Sequence, residues 1–83
     1  MKVELKLYAS LSRYLPNGSV DHKVILDVAE GMTPSQLIDD MKLPRESCFL
    51  VLVNGIFVPP EERESRKMHE GDALAIWPPI AGG

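Results

Sequence analysis

A chain of 83 residues has room for one small domain, which buries roughly 60–65% of its unfolded surface and is therefore of modest stability. With 45% apolar and 25% charged residues it is a globular chain, not a disordered one. A net charge of −3 without any block of like charge argues against nucleic acid as a partner, since that calls for a basic face, and suits a basic protein surface instead.

The first stretch, Lys2 to Tyr8, alternates Val3, Leu5 and Leu7 with Lys2, Glu4 and Lys6. Period two over that length predicts a strand with one buried face. Ala9 to Leu15 carries Leu11, Tyr14 and Leu15 at the spacing of a helical turn, and Pro16-Asn17-Gly18 breaks it. Asp21 to Val28 reads as a second strand, antiparallel to the first, although Ile25 spoils its alternation. Thr33, Pro34 and Gln36 then spell a helix start: an N-cap, a proline at the first helical position and the far half of a capping box. Met32 and Leu37 occupy the positions of a hydrophobic staple. Leu37, Ile38 and Met41 share one face while Asp39 and Asp40 face water, and Lys42 suits the negative end of the helix dipole. Leu43-Pro44 is expected to stop the helix after about ten residues.

Cys48 to Val53 is an unbroken apolar run, and Asn54-Gly55 after it predicts a tight hairpin returning through Ile56-Phe57-Val58 to Pro59-Pro60. Glu61 to His69 is charged and aperiodic, expected to be a solvated surface connection with one helical turn. Gly71-Asp72 turns the chain into a last strand, Ala73 to Trp77. The order strand, strand, helix, strand pair, strand implies an α+β roll, a mixed sheet with one main helix on one face; by analogy with known folds its first and last strands can lie parallel at the centre. The domain is taken as residues 1–77 and the tail as 78–83.

Little in the chain looks like an active site. One cysteine, Cys48, cannot form an internal disulfide, fits a reducing compartment and reads as a packed small side chain. His22 and His69 lack metal-ligand spacing and read as surface residues, so no metal is expected. No phosphate-binding glycine loop and no nucleophile elbow is present. Met1-Lys2 leads straight into the alternating strand, and no apolar run approaches membrane-spanning length, so the expected address is the cytoplasm, away from membranes. The chain reads as a substrate or subunit for another protein's chemistry, not as an enzyme.

The end of the chain supplies that chemistry. Pro78-Pro79 cannot extend the sheet and leaves it as a stiff segment, followed by Ile80, Ala81, Gly82 and Gly83. Two residues without a Cβ let the terminal carboxylate enter a slot too narrow for any side chain. A carboxylate resists nucleophiles until ATP converts it to an acyl-adenylate; a sulfur nucleophile can then displace AMP and leave a thioacid. The bland reading of the same residues is a frayed terminus. Both faces of Phe49-Leu50-Val51-Leu52-Val53 are apolar although one helix covers only one, so the other face is a candidate docking patch. Trp77 and Phe57 either anchor a partner on that open face or fill the edge of the core.

The stretch Gly71-Asp72-Ala73-Leu74-Ala75-Ile76-Trp77-Pro78-Pro79-Ile80-Ala81-Gly82-Gly83 closely resembles the end of the molybdopterin synthase small subunits, the MoaD-like branch of the MoaD/ThiS ubiquitin-like sulfur carriers. Tyr8-Ala9-Ser10-Leu11, Gly31-Met32-Thr33 and Val53-Asn54-Gly55 are similar to that family in the same order. The resemblance implies a β-grasp (ubiquitin-like) fold and a cycle on Gly83. An E1-like adenylating enzyme of the MoeB/ThiF type would consume ATP, with any zinc its own. A sulfur-donor enzyme would complete the thiocarboxylate, and the large synthase subunit would pass the sulfur to a pterin precursor. In this alignment Trp77 takes the place of a partner-packing aromatic, Gly82 is the penultimate glycine, and Pro78, Pro79, Ile80 and Ala81 enter the partner's pocket. Ser12-Arg13-Tyr14 departs from the family's Arg-Glu pair, so no role of that pair carries over. The ending Ile80-Ala81-Gly82-Gly83 also suits the thiamine carriers, and related carriers serve tRNA thiolation, cysteine synthesis or protein modification.

Overall fold

The computed structural model describes residues 1–79. Strand β1 (Lys2–Leu7) buries Val3, Leu5 and Leu7 completely and turns Lys2, Glu4 and Lys6 outward. Burying each such aliphatic side chain contributes roughly 1.5–3 kcal/mol. β1 pairs antiparallel with β2 (Lys23–Asp27) and parallel with β5 (Ala73–Trp77). β5 in turn pairs antiparallel with β3 (Leu50–Val53), which forms a hairpin with β4 (Ile56–Phe57). The sheet order is β2-β1-β5-β3-β4, a mixed five-stranded sheet with the first and last strands parallel at its centre. Helix α1 (Pro34–Asp40) packs on one face through Leu37 and Ile38, where Val3, Leu5, Leu7, Val51, Val53, Leu74 and Ile76 form the core. This is the expected α+β roll, a β-grasp.

Local chemistry sets the boundaries. The capping box is complete: Thr33 Oγ1 accepts from the Gln36 amide (3.3 Å), and Gln36 Oε1 accepts from the Thr33 amide (3.0 Å). The helix is shorter than expected, seven residues, because it ends at a Schellman-type cap before Pro44 is reached. The Lys42 amide donates to the Asp39 carbonyl and the Leu43 amide to the Ile38 carbonyl, which puts Lys42 in the left-handed region at φ 58°. β2 is also shorter than the apolar run, because Asp21 (φ 53°) and His22 (φ 65°) form a tight turn between Val20 and Lys23. β3 starts two residues later than expected, since the Cys48 amide closes a 3₁₀ turn over Arg45–Ser47. The Asn54-Gly55 hairpin is as read, with φ 52° and 81° at its two central residues.

The stretch 61–69 corrects the expectation of a solvated connection. Met68 is fully buried, and Arg63 is 9% exposed despite its charge. Arg63 Nε donates to the Val58 carbonyl (3.0 Å), Nη1 to that of Cys48 (2.8 Å) and Nη2 to that of Phe49 (3.0 Å). One side chain thereby ties the entry of β3 to the exit of β4. Arg45 makes a second tie, pairing with Asp39 at the end of α1 (2.8 Å) and with Glu64 in the connection (3.2 Å).

Candidate functional site

The candidate site is the sheet face opposite α1 together with the point where the chain leaves β5. Leu74 and Ile76 point into the core, so Ala73, Ala75 and Trp77 lie on the other face. The register aligns Phe57, Leu52, Ala75, Lys6 and Lys23 across that face. Beside this row, Leu50 pairs with Trp77. One half of the open face is therefore apolar, from Phe57 to Trp77, and the other half carries Glu4, Lys6 and Lys23.

Trp77 is positioned by stacking. Its ring lies 4.2 Å from that of Tyr8 with an interplanar angle of 3°, and the Tyr8 amide donates to the Ile76 carbonyl (3.2 Å). On its other side Tyr8 stacks on His22 at 5.8 Å and 21°. Offset stacking of this kind adds to simple burial and fixes ring orientation. Of the two placements open to Trp77, the structure shows the outer one: the ring is half-buried against Tyr8, not inserted among the core residues. Phe57 is 51% exposed on the same side. Tyr8 escaped the sequence reading as a site residue, yet the signal existed: it continues the outward-facing positions Lys2, Glu4 and Lys6 and is aromatic.

The start of β5 is held from the hairpin. Asn54 Oδ1 accepts from the Ala73 amide (2.9 Å), its Nδ2 donates to Asp72 Oδ1 (2.9 Å), and its own amide donates to the Ala73 carbonyl (2.8 Å). Asp72 Oδ2 accepts from the His69 amide (2.8 Å). Burial alone would raise the Asp72 carboxyl, but the bonds from Asn54 and the His69 amide outweigh it and hold the group below the usual range. Cys48 is buried; its thiol donates to the Pro44 carbonyl (3.4 Å), and burial pushes its proton affinity up, the opposite of an activated nucleophile. His22 and His69 are exposed. Among the described residues no group of three or more His, Cys, Asp or Glu side chains could hold a metal ion. No helix among them is long and apolar enough to cross a membrane.

At the exit, Pro78 is half-buried and Pro79 exposed. The structure thus places Phe57 and Trp77 on the open face in neighbouring rows of the register, with Pro78 and Pro79 following Trp77. Ile80, Ala81, Gly82 and Gly83 lie outside the described residues.

The model of the ThiS family matches residues 6–83. Among solved structures the chain is similar to SAMP1 from Haloferax volcanii, at 26% identity over the whole of both chains with a TM-score of 0.71. It is similar in fold to the thiamine biosynthesis protein ThiS from Geobacter metallireducens, at 21% identity, 96% of this chain, 99% of the other and a TM-score of 0.61. It is also similar in fold to a chain in the complex of subunits 1 and 2 of molybdopterin-converting factor from Helicobacter pylori, at 15% identity, full coverage of both and a TM-score of 0.61. No curated protein matches the sequence significantly.

Proposed function

The chain belongs to the ThiS family of ubiquitin-like, ThiS/MoaD-type sulfur carriers, and from that premise we propose that Gly83 is its reacting residue. An E1-like enzyme has the terminal carboxylate attack the α-phosphate of ATP, forming the acyl-adenylate and releasing pyrophosphate. A sulfur nucleophile from a donor enzyme then displaces AMP, so that a C–S bond replaces a C–O bond at the chain end. The chain acts in this cycle as co-substrate and contributes no catalytic side chain. As the small subunit of a molybdopterin synthase it hands the sulfur to a pterin precursor on the large subunit; the Pro78-Pro79 exit favours this branch. One observation carries the reading: the apolar half of the open face converges on Trp77, the residue immediately before that exit. A docked partner therefore meets the tail at the edge of its own footprint.

Intact-mass measurement after incubation with the cognate activating enzyme, ATP and a sulfur donor tests this directly. The expected product has one oxygen replaced by sulfur, and a chain ending at Gly82 gives none. An unaltered mass with a verified activating enzyme rejects the reading. The thiazole branch is the second reading, supported by the family match itself. Reconstitution with each large partner separates the two: sulfur released to a pterin precursor or to a thiazole-forming enzyme.

A further inference from the structure

Asn54-Gly55 makes the β3–β4 hairpin. It is also the pairing in which asparagine most readily loses its side-chain amide, because a following glycine leaves its own nitrogen unshielded. In that reaction the Gly55 nitrogen attacks Asn54 Cγ. A ring N–C bond forms, the Cγ–Nδ2 bond breaks, and ammonia leaves with the Gly55 amide proton. Water then opens the cyclic imide at either of its carbonyls. One opening gives aspartate; the other gives isoaspartate, in which the backbone runs through Cβ and Cγ.

Nothing in the hairpin itself crowds this chemistry. Asn54 and Gly55 are exposed. Apart from chain neighbours, no atom of the described residues lies within 4 Å of where a Gly55 Cβ would stand. The restraint comes from β5. Asn54 Oδ1 accepts from the Ala73 amide and Nδ2 donates to Asp72 Oδ1, each at 2.9 Å, so both ends of the side-chain amide are engaged across the seam. Asp72 is itself fixed: its Oδ2 accepts from the His69 amide at 2.8 Å, and its side chain is only 14% exposed.

We propose that Asn54 is a spontaneous deamidation site, locked while β5 is seated against the hairpin and freed when that seam opens, and that the reaction makes the opening permanent. Closing the imide rotates Cγ toward Gly55 and removes Nδ2, so both bonds to β5 are lost first. The product cannot restore them. In aspartate an oxygen replaces Nδ2 opposite Asp72 Oδ1, and two carboxylates sharing one site repel. Isoaspartate adds a backbone atom to a turn built for two residues. The pairing of Leu52 with Phe57, which places Phe57 on the open face, depends on that turn. The inference is independent of the carrier reading, since no step of it involves Gly83.

Incubation of the full chain at neutral pH, followed by intact mass and by mapping of isoaspartate at position 54, tests this. The folded chain is expected to convert about tenfold or more slowly than the same chain in guanidinium chloride, the factor by which closed molecules outnumber locally opened ones. Asp72→Ala, folded by circular dichroism, is expected to recover most of the unfolded rate. Val3→Ala weakens the core on β1 without touching the hairpin and is expected to convert slowly. Equal rates for the folded and unfolded chain overturn the lock. So does an Asp72→Ala rate as slow as that of the unaltered chain, or a Val3→Ala rate matching Asp72→Ala. Asn54→Asp, the product written into the sequence, is expected to lower the urea midpoint; an unchanged midpoint overturns the permanence of the opening.

Discussion

Asp72 shows how one side chain can fix a strand that must be accurately placed. It accepts from Asn54 and from the His69 amide, while Asn54 binds both polar groups of Ala73. Its carboxyl is held below the ordinary value of 3.8, so the folded state favours the ionised form. The sign follows from linkage: this contribution is fully present above the unfolded value and is lost as pH falls through the lowered folded one. Asp72→Asn is therefore expected to cost stability at neutral pH and to flatten the acid limb of the stability curve, read as urea midpoints between about pH 6 and pH 2. Arg63 is the residue at this scale that the sequence concealed. It stands in a run of charged residues with no period to separate it from solvated neighbours, and only the convergence of three carbonyls explains its burial.

Among the elements, α1 is short enough for its ends to matter. Seven residues form few internal hydrogen bonds, and the nucleus is costly, so the capping box and the packed face carry the helix. Its start was legible because capping chemistry is local: Thr33, Pro34 and Gln36 act on each other. Its end was misplaced because Lys42 adopts a left-handed conformation that lysine does not advertise; glycine is the usual residue there. Lys42→Gly is expected to stabilise the protein by about 0.5–1 kcal/mol, the relief of the left-handed penalty exceeding the added freedom of the unfolded chain; a raised urea midpoint with unchanged slope checks it. The strands show the same division. Alternation announced β1, whereas the run Cys48 to Val53 is apolar throughout and conceals that its first two residues leave the ladder. The two antiparallel neighbours β1–β2 and β3–β4 were readable from short connections, whereas the central parallel pairing of β1 with β5 was reached by analogy with known folds.

At the level of the whole molecule the sheet presents two unlike faces. One face forms the core with α1, and the other presents an apolar half running from Phe57 to Trp77. Both faces of Phe49–Val53 being apolar predicted this outer patch; the Tyr8 stack that orients Trp77 joins residues far apart in sequence and could not be read from spacing alone. Phe57→Ser separates core packing from the docking proposed for the open face. It is expected to change stability by less than about 1 kcal/mol, since the ring is half-exposed, and, on the proposed carrier reading, to slow sulfur loading of the chain about tenfold or more, as truncation of an aromatic hot spot does. Thermal melting and the initial rate of mass change, measured on one preparation, check both halves.

The parallel pairing of β1 with β5 has a further consequence, in biosynthesis. The middle of the sheet joins β1, the earliest of the five strands in chain order, with β5, the latest. A nascent chain cannot close this seam until translation has passed Trp77, and long-range pairing of this kind is slow to form. The open sheet face is thus completed only when β5 is, so a polypeptide abandoned before Trp77 lacks both the central seam and the apolar half of that face.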